Sequence, residues 1–138
     1  MRRKIDNELL NSINVFLNVS NAKLKDCFNY EGVIYFIVDE GELGKAVGLK
    51  GVFAKTIRER LKKNIKIVEF SKDPVKFIKN FLLPIQVDDI FIQDNVIYVV
   101  QLDKFQKAKI IGKQKKNLNL MNELVKQYYG PNLSVYVK

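Results

Sequence analysis

Histidine is absent from this 138-residue sequence, and cysteine occurs only once, as Cys27. Without histidine, the common zinc sites and the histidine-dependent serine and cysteine triads cannot form. One cysteine excludes an internal disulfide, and its apolar-flanked position predicts a buried strand residue rather than a reactive thiol. Sites built on histidine or on paired cysteines are thus excluded, and we expect no metal, no cofactor and no catalytic activity.

Long apolar runs and linker-like segments are also missing. No stretch of about 20 apolar residues is available to span a membrane, and the basic N-terminal segment leads into no signal-peptide core. Proline occurs three times and glycine seven times, without a Gly/Ser-rich or Pro-rich stretch that would form a long flexible linker. These absences predict a compact chain in the cytoplasm, with no membrane partner.

Positive charge, in contrast, is abundant. The sequence holds 24 Lys and Arg against 15 Asp and Glu, a net charge of +9. Residues 1–71 contain 13 basic and 9 acidic side chains, and residues 72–138 contain 11 and 6, so both halves are basic. A charge of this size on a small protein favours a polyanionic partner such as nucleic acid.

The same pair of strands is predicted twice. Two strand-like runs, 26–30 and 33–38, are separated by Glu31-Gly32, and two more, 90–93 and 96–100, are separated by Asp94-Asn95. Two turn-prone residues between two such runs suit a tight hairpin. The sequence Val-Ile-Tyr recurs 63 residues later, and Gly48 recurs 64 residues later as Gly112. A single internal duplication explains both offsets.

Helices with one apolar stripe surround each hairpin. Each unit is thus predicted as helix, strand, strand, helix, turn, helix, strand, which is an α+β fold in two domains, 1–71 and 72–138. Besides the hairpins, the predicted elements are a helix over 5–17, a helix with the stripe Val52, Phe53, Ile57 and Leu61, a strand over 65–70, a helix over 74–82, a helix with the stripe Leu118, Met121, Leu124, Val125 and Tyr128, and a strand over 133–137.

The first glycine turn contains Gly48-Leu-Lys-Gly51 between two helical stretches. Glycine lets a phosphate approach the backbone N–H groups that open the following helix, where the helix dipole is positive. Glycines at such a turn also serve chain reversal, so the motif alone leaves both uses open. Its return in the second unit favours binding, and the candidate nucleic-acid-binding residues here are Lys45, Gly48, Leu49, Lys50, Gly51, Lys55 and Arg58.

The second turn reads Gly112-Lys-Gln-Lys115, so lysine takes the place of the second glycine. If that position needs a positive φ or a bare backbone, Lys115 impairs the phosphate clamp; otherwise it adds a charge. We expect altered but retained binding, although a solvated lysine face is the ordinary meaning of such a charge run. The candidate residues are Gly112, Lys113, Gln114, Lys115 and Lys116.

Both turns resemble the Gly-x-x-Gly loop of KH domains. The stretch from Val38 to Ser71 is similar to the first KH domain of the archaeal NusA-like transcription factors, and the stretch from Ile110 to Asn117 resembles their second KH loop. The resemblance implies two tandem type II KH-like units, each a three-stranded sheet backed by helices, that bind single-stranded RNA. It also implies a role in transcription elongation or termination.

Other readings of the sequence stay open at this point. A KH-type factor in ribosome assembly or translation would use the same residues on another RNA, and a scaffold bound to RNA polymerase would use the loops structurally. The chain is shorter than bacterial NusA proteins, so a contact with RNA polymerase is not carried over from them. Asp39, Glu40 and Glu42 suggest a metal-dependent nuclease, but a hydrophilic strand end is their commoner meaning. Tyr30, Tyr35 and Phe36 are expected to be core residues rather than base-stacking ones.

Overall fold

A computed structural model describes residues 6–138 of the chain, which form two compact units with Ser71 at the end of the first and Lys72 at the start of the second. Each unit follows the order predicted from the duplication. The first contains α1 (Asn7–Ser20), β1 (Leu24–Tyr30), β2 (Val33–Val38), α2 (Leu43–Val47), α3 (Val52–Leu61) and β3 (Asn64–Glu69); the second contains α4 (Pro74–Leu82), β4 (Asp89–Gln93), β5 (Val96–Val100), α5 (Lys104–Ile111), α6 (Lys116–Tyr129) and β6 (Ser134–Val137).

Each unit has one three-stranded sheet with the same topology. The middle strand, β2 or β5, pairs antiparallel with the strand before it and parallel with the last strand of the unit. A parallel pair requires a long crossover connection, and two helices with a turn between them supply it in both units. The predicted α+β fold with two three-stranded sheets backed by helices is therefore confirmed.

The two-residue hairpin turns also form as predicted. Glu31 and Gly32 have φ values of 51° and 79°, and Asp94 and Asn95 have values of 52° and 64°. Positive φ at both central residues is the signature of a type I′ turn, whose twist matches that of the flanking strands. The turns fix the register of both hairpins, in which equivalent residues such as Tyr35 and Tyr98 lie 63 positions apart.

The core of the first unit lies between its helices and one face of its sheet. Phe16 of α1 stacks on Phe36 of β2 with ring centroids 4.6 Å apart, and both side chains are fully buried. Cys27 is also in this core, as predicted, and burial raises the pKa of its thiol to about 12, with a smaller contribution from the charge of Asp26. A thiol with this pKa stays protonated at neutral pH and is inert as a nucleophile.

Several predicted boundaries shift by a few residues. Helix α1 begins at Asn7 because the Asp6 carboxylate accepts a hydrogen bond from the Leu9 N–H at 2.9 Å, and it continues to Ser20. The predicted contribution of Ile5 falls outside the described residues. In α6 the fully buried stripe includes Leu120, which the sequence pattern missed, whereas Leu118 is half-buried.

Within residues 6–138, no helix has the length and apolar character needed to cross a bilayer.

Candidate nucleic-acid interface

The first glycine turn connects α2 to α3 and has an unusual backbone. Gly48 ends α2 with φ 79° and ψ 170°, a conformation that is essentially restricted to glycine. Lys50 and Gly51 follow in the left-handed region, with φ values of 52° and 75°. The turn is closed by a hydrogen bond from the Gly51 N–H to the Gly48 carbonyl oxygen at 3.1 Å.

Gly48 is required for a second reason, which is the close approach of Phe53. A Cβ atom at residue 48 would lie 2.7 Å from Cγ of Phe53 and 3.1 Å from its backbone nitrogen. A Cβ atom at Gly51, in contrast, would meet nothing within 4 Å. The two glycines of the motif therefore have different roles, because the first allows close packing and the second only eases a left-handed conformation.

The second turn, between α5 and α6, repeats this geometry 64 residues later. Gly112 has φ 81° and ψ 161°, and Gln114 and Lys115 have φ values of 56° and 61°. A Cβ atom at residue 112 would lie 2.8 Å from Nδ2 of Asn117, which occupies the position of Phe53. Asn117 donates a hydrogen bond through Nδ2 to the Lys109 carbonyl oxygen at 3.1 Å and so ties the turn to α5.

The structure answers the conformational question about Lys115. Its position needs a positive φ, and the fold has room for a side chain there, because a Cβ atom at the equivalent Gly51 would meet nothing within 4 Å. Lys115 accepts the left-handed conformation and keeps the shape of the turn. The lysine therefore adds an exposed charge to this turn at a conformational cost of about 1–2 kcal/mol.

The left-handed conformation of Lys115 should make the fold less stable than it would be with glycine there. Replacing Lys115 with glycine relieves the left-handed strain, and part of the gain is offset by the larger entropy of glycine in the unfolded chain. We expect Lys115→Gly to raise the free energy of unfolding by about 0.5–1 kcal/mol, measured by urea denaturation. A lower free energy of unfolding would mean that the Lys115 side chain makes a stabilising contact.

Most of the predicted site residues lie together at the turns, but Arg58 does not. Leu49 is 89% exposed, and Lys45, Lys50 and Lys55 are exposed around the same turn. Arg58 lies six residues after the first residue of α3, about 9 Å along the helix, where it lines a depression together with Gly32, Lys62, Lys63 and Asn64. In the second unit, Lys113, Gln114 and Lys115 are exposed, and Gly112 and Lys116 are half-buried.

The helices that follow the two turns have uncapped N-termini. Aspartate side chains accept hydrogen bonds from the first-turn N–H groups of α1, α4 and α5. The N-cap residues of α3 and α6, Gly51 and Lys115, make no such side-chain hydrogen bond, and the first N–H of each helix, at Val52 and Lys116, donates to a carbonyl oxygen of the turn instead. The later first-turn N–H groups of α3 and α6 have no N-cap side chain, which suits contact with solvent or an anion, and sequence reasoning pointed to the glycines without finding the missing caps.

One of the acidic residues considered as nuclease ligands, Glu42, has a structural role. Its Oε1 accepts a hydrogen bond from the Lys23 N–H at 2.8 Å. Across residues 6–138, no three side chains of the His, Cys, Asp and Glu types are grouped to hold a metal ion. Tyr35 and Phe36 are buried, in agreement with their predicted place in the core.

Known proteins resemble this chain along most of its length. Residues 74–129 match the family described as "NusA-like second KH domain". The "Probable transcription termination protein NusA" of Methanocaldococcus jannaschii is 30% identical over 128 residues, which is 91% of this chain and 70% of that protein. The protein of the same description from Methanococcus vannielii is 32% identical over 123 residues, 86% of this chain and 70% of that protein.

A solved structure gives the same result for the fold. The structure described as "Crystal structure of APE1850" has a TM-score of 0.68 and 26% sequence identity, and the match covers 97% of this chain and all of that one. The two repeated turns, the paired sheets and these relatives agree on one assignment: the chain belongs to the archaeal NusA-like family of proteins with two KH-like units.

Proposed function

We propose that this protein binds single-stranded RNA without catalysing a reaction, and that it does so as a factor in transcription elongation or termination. The observation that carries the proposal is the pair of turns with one backbone geometry, each placed before an uncapped helix and each carrying exposed lysines. The transcription role rests on the names of the relatives. Such a role would place the protein in the cytoplasm, and RNA polymerase is the first protein partner to test.

Phosphate binding at each turn would use three kinds of group. The glycine at the start of the turn allows the turn to pack closely against the following helix, and that helix offers first-turn N–H donors with the positive end of its dipole. Lys50 in the first turn and Lys113 and Lys115 in the second are exposed and free to approach a phosphate oxygen. Together these groups suit contact with a sugar–phosphate backbone, and such contacts do not depend on the nucleotide sequence.

The two turns differ at their tips. Leu49, the most exposed large apolar residue described, follows the first glycine of the first turn, and Lys113 takes its place in the second. An exposed leucine offers apolar contact to a base or ribose, whereas a lysine offers charge. We propose that the first turn contributes more of the salt-independent part of the affinity and the second turn more of the salt-dependent part.

Binding of a short unstructured RNA, followed by fluorescence anisotropy across a salt series, tests the proposal. The variant carries Leu49→Asp and Lys50→Asp. We expect it to bind at least about tenfold more weakly and to show a smaller dependence on salt concentration, since a phosphate contact is lost.

The matched control carries Leu10→Asp and Lys62→Asp. Leu10 is 48% exposed, and Lys62 follows the end of α3 that lies away from the turn, so the total charge change is the same. Equal losses of RNA affinity in the variant and the control would mean that net charge alone explains the effect, which would contradict phosphate binding at the turn. Cleavage of the RNA during incubation with magnesium would contradict the non-catalytic role.

A further inference from the structure

Three aromatic side chains form a row across the second sheet. Phe91 of β4 pairs with Tyr98 of β5, which pairs with Tyr136 of β6. The rings of Phe91 and Tyr98 are stacked with centroids 5.3 Å apart, and those of Tyr98 and Tyr136 are 6.0 Å apart at an angle of 72°. We call these three residues the aromatic row.

The aromatic row lies on the face of the sheet that points away from α5 and α6. The alternate residues of the same strands, such as Ile97, Val99 and Val135, are buried, and Asn122 of α6 hydrogen-bonds to the backbone of Val135 on that side. On the face of the row, Tyr136 is 56% exposed, and Phe91 and Tyr98 are half-buried. The row is therefore separate from the Gly112–Lys115 turn, which lies between the two helices.

The first unit contains the same aromatic pair in a different environment. Phe28 and Tyr35 stack with centroids 5.1 Å apart at the equivalent positions, 63 residues earlier, but both are buried. Tyr136, in turn, takes the place of Lys66, the partner of Tyr35 in β3. The pair that is buried in the first unit is thus half-buried in the second, where a third ring joins it.

We propose that the aromatic row is a second contact surface for single-stranded RNA, on which unpaired bases stack. The inference rests on the proposed function and deepens it. Exposed aromatic side chains on the open face of a sheet are a common means of stacking single-stranded bases. The nearly perpendicular rings of Tyr98 and Tyr136 form a corner, which a planar base fills with its face on one ring and its edge on the other.

The groups around the row are better suited to contact with a nucleic acid than to contact with an apolar protein surface. Nζ of Lys138 lies 5.6 Å from the centroid of the Tyr98 ring and places an ammonium group beside the row, within reach of a phosphate. Both tyrosines end in a hydroxyl group. Asp89 is the acidic residue on this face, and one of its carboxylate oxygens accepts a hydrogen bond from the Ile90 N–H at 2.8 Å.

The test uses the full chain and two variants, Tyr136→Ser and Tyr98→Leu, with RNA long enough to contact more than one site. We expect each variant to bind the RNA about fivefold to a hundredfold more weakly, with an unchanged slope of affinity against salt concentration, because stacking releases no counterions. Tyr136→Phe keeps the ring and should bind like the natural protein. Ile92→Ala, at an exposed apolar position on the opposite face of β4, should also have no effect.

The outcomes separate this inference from the proposed function. If the turn variant loses affinity and Tyr136→Ser does not, RNA binding stands and the aromatic row is not part of it. If Tyr136→Ser instead abolishes a concentration-dependent self-association seen by sedimentation, the face joins two copies of the chain and the inference is overturned. If the natural protein binds no RNA at any salt concentration, both proposals fail.

Discussion

Gly48→Ala is expected to weaken RNA binding by at least about tenfold, the largest effect of any single methyl group added at the turns. The alanine Cβ would lie 2.7 Å from the Phe53 ring, and the backbone at φ 79° and ψ 170° costs a non-glycine residue about 1–3 kcal/mol. The backbone must shift to relieve the contact, because Phe53 is held within α3. The shift would move the turn away from the position in which it accepts a phosphate.

The control for this variant is Gly51→Ala, the same change three residues later. Its Cβ enters open space, and the left-handed conformation costs about 1–2 kcal/mol of stability without a steric contact. RNA affinity should therefore stay within about threefold of the natural value, which is less than 1 kcal/mol. Affinity is measured by anisotropy, with urea denaturation to verify that both variants are folded.

Equal effects at Gly48 and Gly51 would contradict the distinction between the two glycines. A strong effect only at Gly51 would indicate that the RNA approaches the second glycine, so that the space beside it is needed by the ligand rather than left open. In that case Lys115 would obstruct the second turn, and the two turns would not bind RNA in the same way.

The parts of the fold that the sequence predicts well are those set by local chemistry. Glu31-Gly32 and Asp94-Asn95 suit a type I′ turn wherever they occur between two strands, and an offset of 63 residues indicates that the same unit is built twice. The apolar periods of α3 and α4 likewise require only the residues of those helices. These features do not depend on what the rest of the chain does.

The features that the sequence does not predict depend on contacts across space. Phe53 and Asn117 look like ordinary helix residues, and their close approach to Gly48 and Gly112 is evident only once the turn is folded. Phe28–Tyr35 and Phe91–Tyr98 have the same alternating pattern, yet the first pair is buried and the second is not. A strand pattern encodes which side a residue faces, but it does not encode what covers that side.

Lys115 illustrates the limit in a single residue. A lysine in place of glycine is compatible with a lost turn or with a retained turn under strain, and composition does not distinguish the two. Lys115 has a φ of 61°, and the equivalent Gly51 has open space beside it, so the turn is retained.

The second large effect is expected in the core of the first unit. Phe16→Ala removes a ring that is fully buried and stacked on Phe36 at 4.6 Å, and such truncations cost about 3–5 kcal/mol. A unit of this size has little stability to spare, so the variant should unfold at a much lower urea concentration. Leu17→Ala, at the next residue and 39% exposed, should change the free energy of unfolding by less than about 1 kcal/mol.

The same variant tests whether residues 1–71 and 72–138 unfold as independent domains. Amide NMR signals from β2 and from β5 report on the two units separately during a urea titration. If the units are independent, Phe16→Ala lowers the midpoint only for the signals of β2, and binding through the second turn survives. If the signals of β5 shift by the same amount, the two units unfold as one cooperative structure, and the loss of a ring in the first would also remove the Gly112–Lys115 turn and the aromatic row.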